Sequence, residues 1–150
     1  MQFCTDLVSS DAYTQYNVIG YGCIQIRSKV RLALGLHPVI LSIEDRLPSQ
    51  TMRKMVLENA GYVVLTATSG SEALKLLAES HVDLVLSDHF LRGELGTAIA
   101  AQIKVLWPEI PILLISGAQD IPETADLEGV VYKADGPTKL LVLIAQTLGL

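Results

Sequence analysis

Four short apolar runs, each closing on a reactive side chain, constrain this chain more than any other feature. The run at 82–86 holds four apolar residues in five positions and leads through Ser87 to the carboxylate of Asp88. The run at 39–43 closes on adjacent carboxylates, Glu44 and Asp45. The runs at 110–115 and 130–132 close on Ser116-Gly117 and on Lys133. Apolar residues without strict alternation are the habit of strands covered on both faces, as in a parallel sheet. If these strands run parallel, Glu44, Asp45, Asp88, Ser116 and Lys133 gather at one edge, where open α/β sheets bind ligands. Carboxylates crowded into a small space call for a cation. Three acidic groups with few other ligands suit a hard divalent ion such as Mg²⁺, which keeps several waters.

The segments between the runs alternate between helical and strand patterns. Pro48 suits the first turn of a helix whose Met52, Met55, Val56 and Ala60 form the expected inward face, with Gly61 as its stop. Residues 62–67 form a further strand, and Ser69-Gly70-Ser71-Glu72 is a capping-box signature for a second helix with Ala73, Leu74 and Leu77 inward. A loop marked by Gly93 and Gly96 leads into a third helix at 95–106, with Leu95, Ile99, Ile103 and Leu106 on one face. Residues 118–129 are acidic, aperiodic and interrupted by Pro122, so at most a short fourth helix fits. A fifth helix spans 138–148; Leu140, Leu143, Ile144 and Thr147 make one stripe, and Leu141, Val142, Ala145 and Leu148 make the other side apolar too. An all-round apolar helix should be covered, and a homodimer through it is one expectation. The alternation predicts an α/β fold, a doubly wound five-stranded parallel sheet with a shortened fourth helix.

Composition narrows the function classes. The 150 residues suit one domain with a real core. No apolar run approaches the roughly 20 residues needed to span a bilayer, so no membrane insertion is expected. A net charge of −5 argues against direct nucleic-acid binding. The two cysteines, Cys4 and Cys23, have no metal spacing, and a reducing cytoplasm is the expected setting. Residues 1–37 read as an N-terminal extension of unassigned role, without signal-peptide character, and 38–150 as the domain.

The order of these groups resembles the receiver domain of two-component response regulators, from about residue 39 to 148. That family has an acidic pair after strand one, an acceptor Asp after strand three, Ser or Thr after strand four and Lys after strand five. Here they are Glu44-Asp45, Asp88, Ser116 and Lys133. The resemblance implies a strand order of 2-1-3-4-5 and phosphoryl transfer to Asp88. It implies Mg²⁺ held by Asp45, Asp88 and the Phe90 carbonyl, with Glu44 acting through water, while Ser116 and Lys133 bind phosphoryl oxygens. It further implies a sensor histidine kinase or phosphotransfer protein as donor and a downstream target protein as reader. The domain is then no conventional enzyme: it assists its own phosphorylation and, with Phe90 and Ala118 unable to orient water, loses the group slowly. The chain's short tail after the fifth helix suggests a stand-alone receiver. Departures include Ala134 where proline commonly follows the lysine, Val130 at the aromatic switch position, and Arg92 where proline is common. They leave an alternative, a pseudo-receiver acting as a constitutive interaction module.

Overall fold

A computed structural model describes residues 30–117, 121 and 125–150. After a helical turn at 30–33, the chain enters β1 (Val39–Ile43), α1 (Leu47–Asn59), β2 (Val63–Ala67), α2 (Gly70–Glu79) and β3 (Leu84–Asp88). A small hairpin follows, β4 (Phe90–Leu91) and β5 (Glu94–Leu95), then α3 (Gly96–Leu106), β6 (Ile112–Ser116) and β7 (Gly129–Tyr132). A 3₁₀ turn, Lys133–Asp135, leads into α4 (Gly136–Leu148).

The five long strands pair in parallel in the order β2-β1-β3-β6-β7, the predicted order. All five residues of β3 and of β6 are buried, which explains their unbroken apolarity. Leu41, Ile43 and Val85 face a core layer shared with Ala73 and Leu77 of α2 and Ile99 and Ile103 of α3. Ile40, Leu84, Leu86 and Leu113 face the opposite layer, with Leu57 of α1 and Leu140, Ile144 and Leu148 of α4. Each Leu, Ile or Val among them, fully buried, contributes about 1.5–3 kcal/mol relative to exposure. The sheet is therefore a rigid plate with helices on both faces, and its strand ends are held in register.

At the amino-terminal edge of the plate, buried Asp83 ties three segments together. Its Oδ2 accepts from Val39 N at 2.7 Å and lies 3.6 Å from Arg31 Nε, and its Oδ1 meets His81 Nε2 at 2.8 Å. His37, by contrast, is exposed.

Several helix faces differ from the sequence expectation. Met52 and Met55 point to solvent, 69% and 58% exposed, and α1 instead turns Gln50, Arg53 and Leu57 toward the sheet. Two polar residues on the inward stripe hid its periodicity. In α3 the buried residues are Gly96, Ile99, Ala100 and Ile103, while Leu95 and Leu106 at its ends are exposed. In α4 the buried stripe is Leu140, Ile144 and Leu148, flanked by partly buried Leu141 and Leu143. Val142 is the large apolar side chain of α4 that is exposed, so the helix is covered mostly by its own sheet. The expected short fourth helix falls largely on residues 118–120 and 122–124, outside the described residues; Gly117 and 125–128 are not helical. The expected extension likewise lies mostly outside them.

Candidate functional site

Because the strands are parallel, β1, β3, β6 and β7 all deliver their carboxyl ends to one edge. Glu44 follows β1, Asp88 and Ser116 close β3 and β6, and Lys133 follows β7. A cleft of about 300 Å³ opens there, lined by Arg46, Asp88, Phe90, Ile115, Ser116, Gly117 and Lys133. Asp88 sits at its floor, 4% exposed. Its Oδ2 accepts from Lys133 Nζ at 3.1 Å, on the cleft side. Its Oδ1 is buried and has no hydrogen-bond partner.

Ser116 is buried at the cleft wall, and the carbonyl end of β6 fixes the loop after Asp88: His89 N donates to Ile115 O at 2.9 Å. That loop then folds into the β4–β5 hairpin, which sequence reasoning treated as plain loop. Glu94 of the hairpin accepts from Gly70 N at 2.9 Å, docking this hairpin onto the start of α2. Phe90 is 58% exposed at the cleft mouth, its ring 4.4 Å from that of buried His89. Lys133–Ala134 is an ordinary trans linkage, as no cis peptide occurs among the described residues. Tyr132 N donates to Asp135 Oδ2 at 3.1 Å, closing the turn after the lysine.

The acidic pair is less free than its sequence suggests. Glu44 is fully buried; its Oε1 accepts from Arg46 N at 3.1 Å and its Oε2 pairs with Arg53 Nη2 at 3.0 Å. Burial pushes the Glu44 carboxyl above its usual value, against the pull of the Arg46 amide. Asp45 Oδ2 accepts from Arg92 N at 3.2 Å, so the acidic pair also grips the hairpin. Arg53 Nη2 lies 3.6 Å from Asp88 Oδ1, and Nη1 lies 3.5 Å from Ser42 Oγ and from Ile43 O. Burial lowers the Arg53 guanidinium from its usual value and the two carboxylates raise it; arginine remains the cation. The sequence reading missed Arg53. The signal was present in the spacing Gln50, Arg53, Leu57, a helical stripe that ends in an apolar residue.

Among the described residues, no three His, Cys, Asp or Glu side chains converge closely enough to hold a metal by themselves. The donor set nonetheless fits a weakly held hard cation, which needs only one or two carboxylates and keeps its water. Buried Asp88 Oδ1, with no hydrogen-bond donor, is the atom such an ion would satisfy.

A doubly wound parallel plate with an acidic pair, a buried Asp, a Ser and a Lys at one edge defines a receiver-like class of domain. The chain belongs to the response regulator receiver domain family, whose model matches residues 40–136. It is 35% identical over 105 residues to the transcriptional regulatory protein AfsQ1 of Streptomyces coelicolor, covering 70% of this chain and 44% of that one. It is 36% identical over 86 residues to the transcriptional regulatory protein ZraR of Escherichia coli, covering 57% of this chain and 19% of that one. The chain thus spans less than half the length of these curated relatives. Among solved structures, a signal receiver domain of an HD domain-containing protein from Pseudomonas fluorescens matches with TM-score 0.70, 24% identity and coverage of 75% and 95%. The response regulator protein TrrA from Thermotoga maritima, solved in complex with Mg²⁺-BeF, matches with TM-score 0.68, 24% identity and coverage of 73% and 98%. Among the described residues no helix is long and apolar enough to cross a membrane.

Proposed function

We propose that this chain is a receiver that accepts a phosphoryl group on Asp88 from a phosphohistidine of a sensor kinase or phosphotransfer protein. The observation that carries the reading is the two-sided environment of Asp88. Oδ2 faces the cleft and Lys133, whereas Oδ1 is shut away from solvent. Oδ2 is thus the attacking atom: its bond to phosphorus forms as the phosphorus–nitrogen bond of the donor breaks, and the imidazole keeps that electron pair.

Little covalent help is required of the protein in such a transfer; positioning and charge do most of it. Lys133, held on Oδ2 in the resting state, moves its charge to a phosphoryl oxygen as the carboxylate is consumed. Ser116 lines the same cleft and donates its hydroxyl to another phosphoryl oxygen. Gly117 leaves room, since nothing lies nearer than 4.0 Å to a Cβ added there. Mg²⁺, held by Asp45, Asp88 and the Phe90 carbonyl with Glu44 behind a water, would supply charge neutralisation between acceptor and phosphoryl group.

The domain is read as residues 38–150, the preceding residues as an extension, and the unit as one that signals by docking to a target. The observation favouring the alternative, a constitutive interaction module, is Arg53, which already neutralises part of the acidic pocket. One experiment separates them. Incubation with Mg²⁺ and acetyl phosphate should add one phosphoryl mass to the wild type and none to Asp88→Asn. Absence of the increment in the wild type leaves the interaction module.

A further inference from the structure

We propose that Arg53, anchored on Glu44, is an internal counter-ion that competes with a divalent cation for Asp88. It thereby raises the metal concentration at which the acceptor site is loaded. The proposal rests on the phosphoacceptor reading above and concerns how the same pocket is regulated.

Glu44, Asp45 and Asp88 bring three carboxylates to the carboxyl edge of β1 and β3. Lys133 meets Asp88 from the cleft side, through Oδ2. Arg53 meets the other side of the cluster, with Nη2 at 3.0 Å from Glu44 Oε2 and 3.6 Å from Asp88 Oδ1. The latter is the buried oxygen without a hydrogen-bond donor, the atom that a metal ion would take. Arg53 therefore stands against both Glu44 and the metal-facing oxygen of Asp88.

The placement is built rather than incidental. The Arg53 side chain is only 9% exposed, and its Nη1 lies within 3.5 Å of Ser42 Oγ and Ile43 O on the interior strand β1. One turn earlier on the same face, Gln50 donates to the carbonyls of Glu44 and Ala67 at 3.1 and 3.2 Å. That bond fixes the start of α1 against the strand ends and aims Arg53 into the pocket. The contact to Asp88 is long enough to be an ion pair without a hydrogen bond. It can be given up when a stronger charge arrives, while the Glu44 pair stays. A receiver built this way rests in a neutralised state without metal. A divalent ion must then displace one cation from Asp88 before it binds.

The metal alone, Mg²⁺, is the probe. Calorimetric titration compares wild type, Arg53→Met and Arg53→Lys, each checked for a cooperative thermal melt. Loss of one nearby positive charge should tighten Mg²⁺ binding by about tenfold or more in Arg53→Met, whereas Arg53→Lys should stay near the wild type. A purely structural role for Arg53 predicts the reverse, weaker binding in Arg53→Met. Equal or weaker binding in a folded Arg53→Met protein overturns the proposal. A second measurement needs no variant: arginine side-chain ¹⁵N spectra of the wild type during the same titration. The Arg53 signal should shift as Mg²⁺ saturates, and a fixed signal at saturation also overturns it. Acetyl phosphate labelling, run in parallel, keeps the two readings apart. Labelled wild type with an unmoved Mg²⁺ affinity removes the counter-ion role alone, and unlabelled protein removes the phosphoacceptor reading beneath it.

Discussion

Gly96 leaves no room beside Asp88: a Cβ added to Gly96 would overlap the Asp88 carbonyl oxygen and lie 2.6 Å from Leu114 Cδ2. Gly96 N also donates to His89 O at 2.7 Å, so the first residue of α3 is clamped to the loop after Asp88. Backbone cannot step aside as a flexible side chain can. Gly96→Ala should cost about 1–3 kcal/mol of stability through overpacking and slow labelling of Asp88 by displacing it. Urea unfolding and the acetyl phosphate reaction on the same sample check both effects. A variant as stable and as reactive as wild type would show that the loop yields.

The most buried of the carboxyls lowered on folding, Asp83, lies at the opposite edge of the sheet and should contribute acid sensitivity. Burial pushes the Asp83 carboxyl up, but hydrogen bonds from His81 and from Val39 N, with the charges of His81 and Arg31, outweigh it and hold the group below its usual value. A carboxyl lowered on folding contributes stability that is fully present above its unfolded value, about 4. That stability is lost as pH falls through the folded value. Wild-type stability should therefore decline below about pH 4, and Asp83→Asn should flatten part of that decline while costing about 1–3 kcal/mol near neutrality. Identical acid slopes in the two proteins would remove Asp83 as the source.

Lifetime of the modified state depends on what meets the attacking water. Phe90, at the cleft mouth, presents an apolar ring with nothing to hydrogen-bond. Phosphorylated Phe90→Asn should decay several-fold faster than wild type, since an added amide can orient water. Loss of the phosphoryl mass is followed after removal of the phosphodonor. Equal half-lives would show that Phe90 does not control access.

The sheet and the gathering of charged groups at its edge were legible because each depends on local pattern. Strands β3 and β6 are buried on both faces, and their apolar runs end where the reactive groups begin. Glu44, Asp88, Ser116 and Lys133 could be placed on one edge from parallel topology alone. Helix faces were harder. In α1, Met52 and Met55 imitate an inward stripe, while the true one carries Gln50 and Arg53 because it reaches a polar site. In α4, Leu140, Ile144 and Leu148 are buried at steps of four, and the supposed second apolar face includes Leu148, which belongs to the core. The β4–β5 hairpin was hidden because two-residue strands leave no periodicity to read.

The identity of the phosphorylated residue tests the account most directly. Protein labelled with acetyl phosphate and Mg²⁺ is reduced with borohydride, which converts an aspartyl phosphate to homoserine, and the tryptic peptide spanning 76–92 is sequenced by mass spectrometry. That peptide contains both Asp83 and Asp88. Homoserine at position 88, with Asp83 unchanged, is the predicted result. Homoserine at another acidic residue, or none in a protein that carries the label, would contradict the account.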